Sequence, residues 1–248
     1  MSKTAVTRVT HSCHMIEIGG RTFLTDPWFS VKPGYYPGET LALGIPDLPP
    51  LDGVLVSHAH YDHCDLRTFA SYRDRKVPLV VAQTVVDEAR KHGFDNVTSL
   101  NPWEHVEIGG VSITATPAKH GVYEITFVLQ AGSDTVYFAG DTMFIPELRE
   151  IPQRLGYVSL ALLPTNGLQI RLAGNEQVVM NAEDAAELTS ILKPDLAIPH
   201  HYAFTSGWLG DRLVTKGDRN PRHFEDAARR LAPGSTVRIV EPGVRVEL

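Results

Sequence analysis

The stretch Gly53-Val54-Leu55-Val56-Ser57-His58-Ala59-His60-Tyr61-Asp62-His63 decides how this chain is read. Its first half is an apolar run too short for a helix and typical of a strand buried on both faces. Its second half sets four metal-ligand side chains at the end of that strand. Residues two apart in extended backbone point to the same side, so His58 and His60 converge on one point. Asp62 and His63 follow on a turn and aim at a second. Imidazole suits zinc, iron and related ions, and a carboxylate adds charge that a harder ion such as manganese favours.

The same grammar, a strand and then a ligand, recurs three times downstream. His120 follows the strand candidate 112–116, Asp141 follows the apolar strand 135–139, and His200 and His201 follow 196–198. Taken singly, each has an ordinary reading: a surface histidine, an aspartate capping the next helix, a packed strand end. Of the 11 histidines in the chain, those at 58, 60 and 63 and at 200 and 201 form tight clusters, which metal sites produce.

Working outward, residues 6–10, 14–18 and 22–25 read as strands, the last two joined across the hairpin dipeptide Gly19-Gly20. Glu17-Ile18-Gly19-Gly20, a strand and Pro27 are echoed by Glu107-Ile108-Gly109-Gly110, a strand and Pro117. A duplicated β-rich unit and two coincident hairpins both account for the echo. Residues 26–50, rich in proline with Trp28, Phe29, Tyr35 and Tyr36, read as a long surface loop that walls a site, as does the stretch 164–176. Helices are predicted over 84–91, opened by a Thr84/Asp87 capping box, over 182–192, and over 221–231, with Pro221 in the first turn. Further strands are predicted at 79–82, 112–116, 123–130, 135–139, 159–163, 196–198, 236–240 and 244–247. Strands interspersed with helices, without a linker, predict an α/β fold of four αββα layers and one domain over residues 1–248.

Composition narrows the function. With 23 basic and 29 acidic residues and a net charge of −6, the chain lacks the basic footprint of a phosphate-backbone binder, so no nucleic-acid partner is expected. No segment approaches the roughly 20 apolar residues of a membrane span. Nor does the polar start, with its single Lys3, carry an apolar run typical of a secretory leader. Two cysteines, Cys13 and Cys64, make no disulfide framework. A cytoplasmic protein acting on a small-molecule substrate is expected.

In order along the chain, Asp26-Pro27 after a strand, the H-x-H-x-D-H of His58 to His63, residues Pro117 to Gly121, Gly140-Asp141-Thr142 and Pro199-x-His201 resemble the metallo-β-lactamase superfamily. The resemblance points to its lactonase-like and phosphodiesterase-like metal-dependent hydrolases. It implies that His58, His60 and His120 bind one metal, that Asp62, His63 and His201 bind a second, and that Asp141 bridges them. The Pro-x-His spacing selects His201 over His200. His11 and Asp26 resemble recurrent features of the same branch, with Asp26 holding a ligand histidine and His11 beside the pocket or packed in its strand.

A binuclear hydrolase is therefore expected, with zinc the first choice and manganese acceptable. A hydroxide between the metals would attack a small lactone, phosphoester or amide. Asp62 and Asp141 would balance charge, and Tyr202 would donate a hydrogen bond to the developing oxyanion. Lys32, Arg171 and Lys216 are candidate phosphate holders. An iron oxidoreductase acting on oxygen or sulfur species and an RNA-processing nuclease are the alternatives.

Overall fold

The computed structural model describes residues 4–248, and its core is two seven-stranded mixed sheets. Lys3, weighed above against a leader, lies outside the described residues. The first sheet comprises β1 (Ala5–Thr10), β2 (Cys13–Ile18), β3 (Arg21–Thr25), β4 (Gly53–Val56), β5 (Leu79–Val81), β6 (Val97–Ser99) and β17 (Arg245–Glu247). Its order is β17-β1-β2-β3-β4-β5-β6. The second holds β7 (His105–Ile108), β8 (Val111–Pro117), β9 (Ile125–Ala131), β10 (Asp134–Phe138), β11 (Leu160–Pro164), β14 (Leu196–His200) and β16 (Thr236–Val237). It is ordered β16-β14-β11-β10-β9-β8-β7.

Strand periodicity explains the layers. Phe127, Leu129, Val136, Phe138, Leu160, Leu162 and Ile198 face inward and join Val6, Ile16, Phe23 and Leu55 in one core between the sheets. The alternate residues Val128, Tyr137, Ala161, Leu163 and Ala197 face outward under α3 (Ile151–Leu155), α4 (Ala182–Leu192) and α6 (Arg222–Leu231). Strands covered on both faces must be apolar on both, which is why these segments read as continuous hydrophobic runs. On the first sheet, α1 (Leu66–Phe69) and α2 (Val86–Lys91) bury Leu66, Phe69 and Ala89. The result is the expected αββα sandwich.

Local chemistry sets several boundaries. Asn181 caps α4, accepting from the Glu183 and Asp184 amides at 2.9 and 3.0 Å, while Asp184 accepts from the Asn181 amide at 3.2 Å. The helix stops at Lys193, in left-handed backbone, before Pro194. The Thr84/Asp87 capping box is not formed. Residues Gln83–Val85 make a 3-10 turn and α2 begins at Val86 without a side-chain cap. Residues 238–240 leave the predicted strand after Val237.

Both Gly-Gly hairpins form, but their surroundings differ. After β3 the chain crosses over to pair β4 in parallel, whereas β8 turns straight back onto antiparallel β9. The echo stops at the hairpins. Within the stretch read as a loop over 164–176 lie β12 (Gln169–Ile170) and the start of β13 (Glu176–Gln177); β12 also pairs β15 (Thr215–Lys216). With α5 (Gly207–Leu213) this small sheet walls the site. Among the described residues no helix is long and apolar enough to cross a membrane.

Candidate metal centre

Strand direction gathers the site. β1, β3 and β4 run one way in the first sheet, and β8, β10, β11 and β14 share a direction in the second. Residues just past the ends of β1, β3, β4, β8, β10 and β14 supply the site: His11, Asp26, the His58–His63 run, His120, Asp141 and His201. Three of them, His11 (φ 48°), Asp26 (φ 35°) and His201 (φ 63°), have left-handed backbone. Non-glycine residues adopt it rarely and at a cost, so the fold holds these turns against local preference.

Two clusters of candidate ligand atoms floor the site, His58, His60 and His120 in one and His11, Asp62, His63 and His201 in the other; a third group, Asp26, His58 and His63, lies behind them and shares their histidines. In the first, His58 Nε2 and His120 Nε2 each stand 3.0 Å from His60 Nδ1. Their outer nitrogens reveal the tautomers. His120 Nδ1 lies 2.6 Å from the Val178 carbonyl, which can only accept, so Nδ1 carries the proton and Nε2 is bare. Ser57 Oγ gives its proton to Asp26 Oδ2 at 2.7 Å and is 2.9 Å from His58 Nδ1, which therefore donates to it. The Nε2 of His58 is then bare as well. One His60 proton can satisfy only one of these two lone pairs, and a cation among the three rings would satisfy them all.

The second cluster repeats the logic with carboxylates. His63 Nδ1 donates to Asp26 Oδ2 at 2.6 Å, and Asp26 is fixed in turn by the Ser57 amide at 2.7 Å. That turns His63 Nε2 toward Asp141 Oδ2 at 3.1 Å and Asp62 Oδ2 at 3.8 Å. A bare lone pair against two carboxylates is repulsive unless a proton or a cation lies between them. Burial works against a charged His63, but the carboxylates of Asp141, Asp62 and Asp26 outweigh it and hold its pKa well above the ordinary range. Protonation and a cation answer the same field. His201 Nε2 is 2.8 Å from Asp141 Oδ2, so that one oxygen faces both rings. The Nε2 atoms of His11, His63 and His201 and the Oδ1 of Asp141 are buried without a hydrogen-bond partner. Burial, and then the neighbouring His120, lowers the pKa of His60 to about 4. Burial first also lowers those of His58 and His120. Neutral imidazoles are the form that binds metal. The donor set and its orphaned atoms fit divalent cations.

Other expectations are redistributed. His200 turns into the sandwich, with Nδ1 3.0 Å from Ser12 Oγ and its ring against His14 and Phe138, so it is not among the clustered ligand atoms. Tyr202 does not face the site: its hydroxyl accepts from Arg8 and it borders a separate cavity with Glu39 and Glu241. The expected oxyanion donor is corrected on this ground, because a side chain one residue beyond His201 leaves on the opposite side. Lys32 stacks on the Tyr35 and Tyr61 rings, its Nζ 4.5 and 4.0 Å from their centroids, and Arg171 bonds the Thr215 carbonyl at 3.0 Å. Glu124 was not anticipated. Fully buried, it accepts from the Asp141 amide at 2.7 Å and lies 3.3 Å from His58 Nδ1. Its only trace in the sequence is an acid at the mouth of an apolar strand.

A cavity of about 390 Å³ opens over the clusters, with His60, Asp62, His120, Asp141 and His201 on its floor. Tyr35, Leu168, Ile170, Val178, Phe204 and Val214 make an apolar wall. Among the described lining residues there is no lysine or arginine.

The comparisons agree with this geometry. A family model described as the beta-lactamase superfamily domain matches residues 21–202. A UPF0173 metal-dependent hydrolase of Thermoplasma volcanium is 32% identical over 77% of this chain and 80% of its own. The chain belongs to the beta-lactamase superfamily, among its metal-dependent hydrolases. Superfamily membership bears out the resemblance read from the motifs. In fold the chain is similar to Igni18, a metallo hydrolase of Ignicoccus hospitalis, with a TM-score of 0.75, 23% identity and coverage of 100% and 99% of the two chains. It is also similar to an isothiocyanate hydrolase from Delia radicum gut bacteria, with a TM-score of 0.78, 18% identity and coverage of 98% and 99%. At these identities the likeness speaks for the superfamily's fold alone.

Proposed function

We propose that the chain is a binuclear hydrolase of a small, uncharged, largely apolar substrate, a lactone before an amide or phosphoester. The observation that carries this reading is the cavity itself, a floor of imidazoles and carboxylates under a wall free of cationic side chains. A phosphorylated substrate would call for arginine or lysine beside its anionic oxygens, and the candidates Lys32, Arg171 and Lys216 do not line the cavity. His58, His60 and His120 would hold one divalent cation, Asp62, His63 and His201 a second, and Asp141 would be shared. Zinc, or else manganese, suits these donors. When bound, the cations lower the pKa of water toward neutrality and polarise the electrophile.

The remaining roles belong to the chain. Asp62 and Asp141 offset the cationic charge, and their oxygens can take a hydrogen bond from attacking water. Asp26, Ser57, Glu124 and the Val178 carbonyl lock the histidine tautomers so that bare nitrogens face inward. Tyr35, Phe204 and Val214 exclude bulk solvent and seat the apolar part of the substrate, which strengthens every charge interaction on the floor. The isothiocyanate named for the structural neighbour is also an uncharged electrophile and belongs in the same test.

Metal content by mass spectrometry, together with chelator-sensitive hydrolysis of lactones, phosphodiesters, isothiocyanates and β-lactams, tests this reading. Two equivalents of zinc or manganese and turnover of an uncharged substrate are expected. Iron with oxidase activity would replace the reading with an oxidoreductase, and preference for an anionic phosphoester would overturn the substrate class.

A further inference from the structure

We infer that His11 is a metal ligand, so that the inner cation site is closed by His11, Asp62, His63 and His201 in addition to the shared Asp141. The outer site of His58, His60 and His120 is then the exchangeable one. This inference rests on the binuclear reading proposed above and adds to it an order of loading.

His11 is wholly buried and neither ring nitrogen has a hydrogen-bond partner. A buried imidazole normally donates from one nitrogen and accepts at the other, and leaving both unmet is costly. Its Nε2 is 3.5 Å from Asp62 Oδ2, and its ligand atom lies within 4.8 Å of those of Asp62, His63 and His201. The ring packs 4.2 Å from that of His201 and 5.2 Å from that of His63, centroid to centroid.

The chain also spends structure on aiming it. His11 stands in left-handed backbone at φ 48°. Its amide donates to Glu39 Oε1 at 2.6 Å, and the same oxygen takes the buried Arg8 guanidinium, which also donates to Tyr202 and to the Val240 carbonyl. Three other segments, at Glu39, Tyr202 and Val240, thus brace this turn, the last two through Arg8. A packed strand histidine would require none of this.

The two clusters differ in access. All four residues of the inner set are buried, with only Asp62 and His201 reaching the cavity floor, whereas His60 and His120 are partly exposed there. Sites closed by four protein ligands hold metal tightly, and sites that keep an open position exchange ligands and do chemistry. The inner site is therefore expected to fill first and to retain its ion.

The decisive experiment adds one equivalent of spin-active cadmium to protein carrying nitrogen-labelled histidine and reads metal–nitrogen couplings by NMR. Coupling to the rings of His11, His63 and His201, with His60 and His120 joining only at the second equivalent, is expected. His11→Asn is the matched variant, because asparagine tolerates left-handed backbone. It should lose the tight first step in a metal titration and the rise in Tm on metal addition, while its metal-free Tm stays at the wild-type value. Coupling confined to His63 and His201, or an unchanged first step in His11→Asn, would overturn the inference and leave the binuclear reading standing. Failure of the wild type to bind metal would instead overturn the proposed function.

Discussion

Replacing Asp26 by asparagine tests the tautomer argument at its root. Asp26 accepts from His63 Nδ1 at 2.6 Å, from the Ser57 amide at 2.7 Å and from Ser57 Oγ at 2.7 Å. Asparagine fits the volume and the left-handed backbone at φ 35°. It has one accepting oxygen where the aspartate has two, so its NH2 must face either the Ser57 amide, at the Oδ1 position, or the His63 and Ser57 Oγ protons together, at the Oδ2 position. Each arrangement sets donor against donor. The Ser57 amide proton cannot turn away, so the second arrangement is preferred, and relief comes by turning His63 or moving its proton to Nε2; both take a bare nitrogen away from the cation site. Loss of such an orienting carboxylate weakens metal affinity roughly 10–100-fold, or about 1.4–2.8 kcal/mol. Competition against a chromophoric chelator near neutral pH measures it directly, with the metal-free Tm as the control for folding. Wild-type affinity in a correctly folded Asp26→Asn protein would refute the claim that Asp26 sets the His63 tautomer.

Other perturbations give distinct readouts. A Cβ at Gly140 (φ 49°) would stand 2.3 Å from Glu124 Oε1, so Gly140→Ala should push Glu124 off the Asp141 amide and lower stability by about 1–3 kcal/mol. Denaturant unfolding reads that loss, and a metal titration of the same protein should show weaker binding. Tyr202→Phe removes the acceptor of a buried Arg8 hydrogen bond, a loss of about 1.5–3 kcal/mol, and should leave kcat at the wild-type value; a large fall in kcat would restore Tyr202 to the chemistry. Burial, and then Arg8, lowers the pKa of His14 to about 3. Between that value and the ordinary 6.5 or so the unfolded chain takes up a proton that the folded chain refuses. Stability in chelator should therefore fall as the pH drops from about 6.5 toward 3, and fall less in His14→Gln, as denaturant midpoints at successive pH values will show.

Much of the candidate site could be read directly from the sequence because its candidate ligands obey local rules. A two-residue repeat at the end of a buried strand aligns His58 with His60 wherever that strand sits, and a strand-then-ligand pattern marks His120, Asp141 and His201 even though they lie far apart in the chain. The layered α/β architecture follows from the same period, since strands apolar on both faces need cover on both faces. Helix α4 was legible through its helical periodicity over 182–192, the bounds the structure gives it.

What the sequence left open depends on register and on the path of the backbone between distant segments. The roles of His11 and Glu124 are set by which strand ends meet across the two sheets, and no periodicity reports that. Tyr202 and His200 flank the same ligand, yet the left-handed turn at His201 sends one to Arg8 and the other into the core. The sequence, with the resemblance its motifs carry, marked most of the candidate donors. Only the tertiary structure decided which nitrogens are bare, because a tautomer is fixed by the partner of the opposite ring nitrogen, and those partners, Asp26, Ser57 and the Val178 carbonyl, arrive from elsewhere in the chain.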